Sequence, residues 1–285
     1  MNLKFLRGMS HQSCLLLLLL LLLAGTAMAQ EFWLEPARFS IAPGAALHIR
    51  VFTGENFQGK RWAGKAKRVT QLLHRTPTGL ENQTAAATAA DSLHTTLTFV
   101  QPGTHLVALT TDYAFLQLSA ADFTTYLQET GLGHVIALRK QRGEADKPGR
   151  EAYQRCATTL VQVGAPLPQD TARAWSRPLG LTLEIVPEQN PALLKSGMSI
   201  TLRVLAAGRP LAGQLVQVWQ RGDLQNRPPL KLRSNQNGRV LFRLQAPAQY
   251  LVSTVQMVPA QAQLQTEWQS TWSTFTFAFP GKISR

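Results

Sequence analysis

The sequence predicts a mainly β protein made of two β-sandwich-like domains. The N-terminal one carries a short helical insert, and the C-terminal one is of immunoglobulin or transthyretin type. Three observations carry this expectation. Apolar and polar residues alternate with a period of two along many short runs, clusters of Gly, Pro and Asn punctuate those runs, and a proline-rich polar segment parts the chain past its middle. Side chains on an extended strand swap faces at every residue, so such alternation marks strands with one face buried.

Residues 1–29 read as a secretory signal. Lys4 and Arg7 supply the positive start, Leu15 to Leu23 form an unbroken apolar run, and Ala27-Met28-Ala29 is a small-x-small cleavage site with the cut after Ala29. The apolar run is too short to span about 30 Å of hydrocarbon at about 1.5 Å per residue. No later run is apolar enough to cross a bilayer, so the expectation is a periplasmic protein whose mature chain has no transmembrane span. Its net charge drops from +13 to +11, because Lys4 and Arg7 leave with the signal. The mature chain keeps a single cysteine, Cys156, so no internal disulfide can form and cohesion must come from packing.

The first domain is expected over residues 30–165. Leu47, Ile49 and Val51 lie on one face of a strand, with His48 and Arg50 on the other. Leu93 to Val100 and Thr104 to Thr110 flank Gln101-Pro102-Gly103 and read as a hairpin, and 115–118 makes another short strand. A helical insert is expected at about 119–160. Ser119 with Asp122 three residues on marks a helix start, Phe123, Tyr126 and Leu127 share a helical face, and Gly131 stops it. Residues 135–141 and 150–160 also fit helices, the latter with Tyr153, Cys156 and Leu160 on one stripe, which makes Cys156 a buried, inert thiol.

A linker is expected at 166–180, from Pro166 to Arg177-Pro178 and just beyond. The second domain then covers 181–280 with seven strands, at 181–186, 199–205, 214–220, 230–233, 239–244, 250–258 and 272–279, and 281–285 is a tail. The turns are well signalled by Ala207-Gly208-Arg209-Pro210 and Asn235-Gln236-Asn237-Gly238.

Catalytic signatures are missing. The chain holds no G-x-S-x-G elbow, no H-E-x-x-H and no Walker loop, so no enzyme is expected. The mature histidines are His48, His74, His94, His105 and His134. His94 and His105 would face each other across the expected hairpin, either as a metal-ligating pair or as two polar-face side chains. Basic residues gather at Lys60-Arg61-Trp62, Lys65 to Arg68 and Arg139 to Arg142. They form either a solvated face or a contact for an anionic envelope surface, and no nucleic-acid module accompanies them. Asn82-Gln83-Thr84 is a glycosylation sequon where the source glycosylates.

Several stretches together resemble one family. EFWLEP at 31–36, GENFQGK at 54–60, YLQETGL at 126–132, ALRKQRGEADKPGREAYQRCA at 137–157, GRPLAG at 208–213 and WQSTWSTFTF at 268–277 look, in that order and spacing, like the bacterial periplasmic family called domain of unknown function 4198, a family associated with nickel uptake. The resemblance covers nearly the whole mature chain and implies an exported β-rich protein. Members usually place His where this chain has Gln30 and read V-H-M where it has Val255-Gln256-Met257. An N-terminal His can chelate nickel or copper through amine and ring together, whereas a glutamine amide is a poor ligand. Either a shared metal site is lost here, or those histidines are not ligands in the family.

The resulting expectation is a non-enzymatic periplasmic accessory or binding protein without a resident cofactor, with nickel or copper as the metals to consider and an envelope transporter or outer-membrane receptor as its partner. The alternative is a structural or protein-interaction β-sandwich serving an outer-membrane partner. Phe32 and Trp33 are expected to bury and tie down the N-terminus, with Trp268 and Trp272 packed alongside.

Overall fold

The computed structural model describes residues 30–166, 173–222, 228–245 and 247–280. The signal segment with Ala29, part of the linker and the tail lie outside the described residues. The described residues form three sheets. In the first, β1 (Glu31–Pro36) pairs antiparallel with β3 (Ala45–Glu55), which also pairs with β4 (Gln58–Arg61) and β7 (Thr96–Phe99). The second has ten strands. Along its main path run β15 (Leu230–Arg233), β14 (Leu215–Gly222), β17 (Ala248–Pro259), β18 (Trp268–Phe279), β10 (Gly149–Val163), β8 (Gly103–Thr111), β5 (Val69–Arg75) and β6 (Leu80–Asn82). The short β2 (Ser40–Ile41) and β9 (Ala114–Leu118) also pair with β10. The third sheet holds β11 (Leu183–Pro187), β12 (Ser199–Ala206), β13 (Arg209–Pro210) and β16 (Arg239–Arg243).

Side-chain parity along β18 decides the layering. Trp272, Thr274 and Thr276 point to one face, and the hydroxyls of Thr274 and Thr276 donate at 2.6 Å to the carbonyls of Phe32 and Leu34 in β1. Phe275, Phe277 and Phe279 point to the opposite face, where they pack with Ile185, Ile200, Leu202, Val204 and Phe242 of the third sheet. The ten-stranded sheet is therefore a shared middle layer, with the first sheet on one face and the third sheet on the other. Both sandwiches exist, and they share that layer. A parallel pairing of β10 with β18, from Glu151 opposite Trp268 to Thr159 opposite Thr276, joins the two halves of the chain. Of the linker expected at 166–180, residues 167–172 lie outside the described residues.

The helical insert is shorter than expected. After a four-residue helical turn, α1 (Thr84–Ala87), the helices are α2 (Ala120–Glu129) and α3 (Gly133–Gln141). Ser119 caps α2 by accepting from the Asp122 amide, and Gly131 at φ +73° ends it in a conformation that suits glycine. Residues 150–160 are strand, not helix. β10 is covered on both faces, so every residue from Cys156 to Val163 is buried and no alternation survives to mark a strand. The three- and four-residue spacing of Tyr153, Cys156 and Leu160 imitates a helical stripe, whereas Thr158, Thr159, Val161 and Val163 suit a strand.

The hairpin at 101–103 is also absent. β7 pairs with β3 in the first sheet, while β8 pairs with β10 and β5 in the second, so the Pro102 turn carries the chain from one layer to the next. The seven strands expected in the second half fall where alternation placed them, with shifts of a few residues at their ends, and the two-residue β13 lies within the expected turn at 207–210.

Candidate functional site

The N-terminal strand delivers its first side chains to a cleft. Glu31 opens β1 opposite Gly54 of β3. The β3–β4 hairpin then turns through Asn56 and Phe57, both left-handed at φ +53° and +59°. Such a φ costs a bulky residue on the order of 1–2 kcal/mol. Phe57 is compensated by burial against Trp33, Trp219 and Leu251, with the Arg221 guanidinium 4.2 Å from its ring centroid. Two glycines let the hairpin close this tightly. A Cβ at Gly54 would meet Gln58 O at 2.1 Å, and one at Gly59 would meet the Trp33 ring at 2.6 Å. The hairpin thus holds Glu55 and Asn56 beside Glu31.

The cleft has a volume of about 550 Å³. Glu31, Glu55 and Glu129 supply carboxylates, Trp219 and Trp272 supply indole walls, and Lys231 stands among them. Glu129 and Thr130 sit at the C-terminal end of α2, the negative end of its dipole. Among the described residues no ion pair joins Glu31, Glu55 or Glu129 to a cation. Glu31 is only 5% exposed, and burial, aided by the Glu55 charge, pushes its carboxyl up to about 8. The Trp219 indole N–H is buried and finds no acceptor among the described residues.

Behind Trp272 lies a second acid. Trp272 stacks on Tyr126, whose hydroxyl donates to Glu151 Oε1 at 3.1 Å, and Ser270 Oγ donates to the same oxygen. Burial raises the Glu151 carboxyl to about 7, and its Oε2 has no partner among the described residues.

The expected site residues fall as follows. Phe32 and Trp33 are buried at 2% and 1% exposure, Phe32 edge-on to Trp62 and Trp33 stacked on Phe52. Trp268 and Trp272 are buried too, but they pack with α2 and α3 rather than with Phe32 and Trp33. Gln30 is exposed and accepts from Thr53 Oγ1 at 3.1 Å. Gln256 lines a different cleft, with His134 and Arg233, so the two amides serve separate surfaces. No group of three or more His, Cys, Asp and Glu among the described residues is arranged to hold a metal ion.

His94 and His105 do not meet. His94 is exposed, whereas His105 is fully buried and pairs with His74, ring nitrogens 2.9 Å apart. His105 Nε2 donates to Gln101 O at 2.8 Å, so its Nδ1 accepts from His74 Nε2–H. The remaining His74 nitrogen lies 3.3 Å from Glu81 Oε2. Burial lowers both imidazoles. Cys156 is buried in β10, and its thiol is pushed up to about 11 by desolvation, which keeps it a poor nucleophile.

Sequence reasoning missed Glu31, Glu55, Glu129, Trp219 and His74, because each becomes notable only through partners far away in the chain. The one available signal was GENFQGK, whose glycines flank a turn that places Glu55.

The family model described as Domain of unknown function (DUF4198) matches residues 27–258. No curated protein matches the sequence. Solved structures to which the chain is similar include the D0-D1 domain of intimin, at 12% identity, covering 87% of this chain and 99% of that one with a TM-score of 0.20. Another is the three N-terminal domains of the bacteriophage RB49 highly immunogenic outer capsid protein, at 9% identity, 89% and 71% coverage and a TM-score of 0.21.

Proposed function

The chain belongs to the family of domain of unknown function DUF4198, and we propose that it acts as an exported, non-enzymatic binding protein of the periplasm, an accessory to the uptake of a cation. The supporting observation is the buried Glu31 in a cleft with Glu55 and Glu129, three acids without cationic partners among the described residues. Indole faces and carboxylates together favour an organic ammonium group. An all-carboxylate set is a weak holder for nickel or copper, which prefer imidazole and thiolate, so contact with such a metal is weak or indirect. Calorimetry of the protein with tetramethylammonium, nickel and copper tests this. Heat with tetramethylammonium that disappears in Glu31→Gln/Glu55→Gln supports the reading, and no heat with any of the three overturns it.

A protein-interaction role has its own support. β15 closes one end of the ten-stranded sheet's main path and carries Leu230 at 48% exposure, which suits addition of a partner strand. A partner cross-linked through β15 in metal-free cells would favour that role.

A further inference from the structure

Arg61 and Trp62 of one basic cluster and Lys65 and Lys67 of the other line one concave space, which shares no lining residue with the acidic cleft. We propose that this cleft, of about 970 Å³, is a binding site for a phosphate group. His48 and Arg50 of β3, Arg61 at the end of β4, and Lys65 and Lys67 of the following segment line it. Trp62 lies beside them, edge-on to Phe32 at 5.3 Å between ring centroids. The loop is pressed onto that indole, since a Cβ at Gly64 would lie 1.8 Å from its ring, and this fold-back carries Lys65 to the cleft.

Most of the positive charge there is unmatched among the described residues. Arg50 donates to Glu35 at 2.8 Å through one amino group, while its buried Nε finds no partner among the described residues. Arg61, Lys65 and Lys67 form no ion pair among the described residues. Asp91 is the only acid among the cleft's described lining residues, and its backbone carbonyl accepts from the Ala66 amide at 3.2 Å. His48 feels the field. Its imidazole is held below the usual range by burial first, then by Arg61 and Arg50, with His94 adding a little.

Two guanidinium and two ammonium groups lining one cleft suit an anion with several oxygens pointing in different directions. A phosphate meets that description, whereas a single carboxylate engages one fork at a time. The phosphate can sit on a lipid headgroup or on a soluble ester, and both present the same chemistry to these side chains. The site is independent of the acidic cleft, so Glu31→Gln/Glu55→Gln leaves it intact.

The test uses protein expressed from its full sequence. Calorimetry with inorganic pyrophosphate at low salt reads the soluble source. Co-sedimentation with phosphatidylglycerol vesicles, against phosphatidylcholine vesicles, reads the lipid source. Arg61→Ala/Lys65→Ala/Lys67→Ala should weaken binding about tenfold or more. Lys140→Ala/Arg209→Ala/Arg243→Ala removes three exposed cations elsewhere and should change it by less than about twofold. The His48 ring signals should report a raised imidazole pKa when pyrophosphate is bound. Loss confined to the cleft variant supports the site in either arm, and the arm that binds identifies the source. Equal losses in the two variants, or no binding in either arm, overturn it.

Discussion

Replacing Glu31 by Gln separates a proton effect from a packing effect. The carboxyl titrates near 4.5 in an open chain and near 8 when folded. Between these values the folded protein holds a proton that the unfolded chain has released. Stability from this group is thus complete below about pH 4.5 and is lost as pH rises towards about 8. The full difference corresponds to about 5 kcal/mol as an upper bound, at about 1.4 kcal/mol per pKa unit. Water reaching the cleft beside an ionised Glu31 reduces that, and about 2–3 kcal/mol between pH 5 and pH 8 is the working figure. Gln has the shape of the protonated acid and does not titrate. Glu31→Gln should therefore match the parent near pH 5 and exceed it by that amount near pH 8. Urea unfolding followed by tryptophan fluorescence and circular dichroism across this range reads the difference directly. Parallel stability profiles for the two proteins would refute the argument. The same proton links to ligand: a cation binding near pH 7 should expel it, so the calorimetric heat should vary with the ionisation enthalpy of the buffer.

Further outcomes rest on other contacts. Phe57→Ala should cost about 3 kcal/mol in urea unfolding, through the emptied space beside Trp33 and Trp219, and should weaken cation binding by loosening the turn that presents Glu55. Thr274→Val/Thr276→Val removes two hydroxyl donors to β1 and should cost about 1 kcal/mol each, with faster amide hydrogen exchange in residues 31–36 as the readout. The His74 imidazole is depressed by burial and by its neighbour His105, so the folded protein resists a proton the unfolded chain accepts. Acidification below about pH 6.5 should therefore destabilise the parent more than His74→Gln, as thermal melts would show.

Much of the second half was legible from its sequence. Val240 and Phe242 alternate with Arg239, Leu241 and Arg243, and β16 alternates between buried and exposed as its residues suggest. One face of that strand meets the core and the other meets water, so chemistry and geometry report the same period. β10 escaped for the opposite reason: both faces are dry, and its run of buried Cys, Ala, Thr, Leu, Gln and Val reads equally as a buried helix. The Ser119 cap and the Gly131 stop of α2 were readable because they act within a few residues of themselves.

Local chemistry alone determined the strands with one wet face, the capped helix, the glycine-flanked turn in GENFQGK and the basic character of residues 60–68. Tertiary structure decided what those pieces meet. It set β10 beside β18 across more than a hundred residues, separated His94 from His105, and gathered Glu31, Glu55 and Glu129 into one cleft. A turn or a cap depends on neighbours a few bonds away, whereas a site depends on which surfaces bury each other, and no short window of sequence contains that competition.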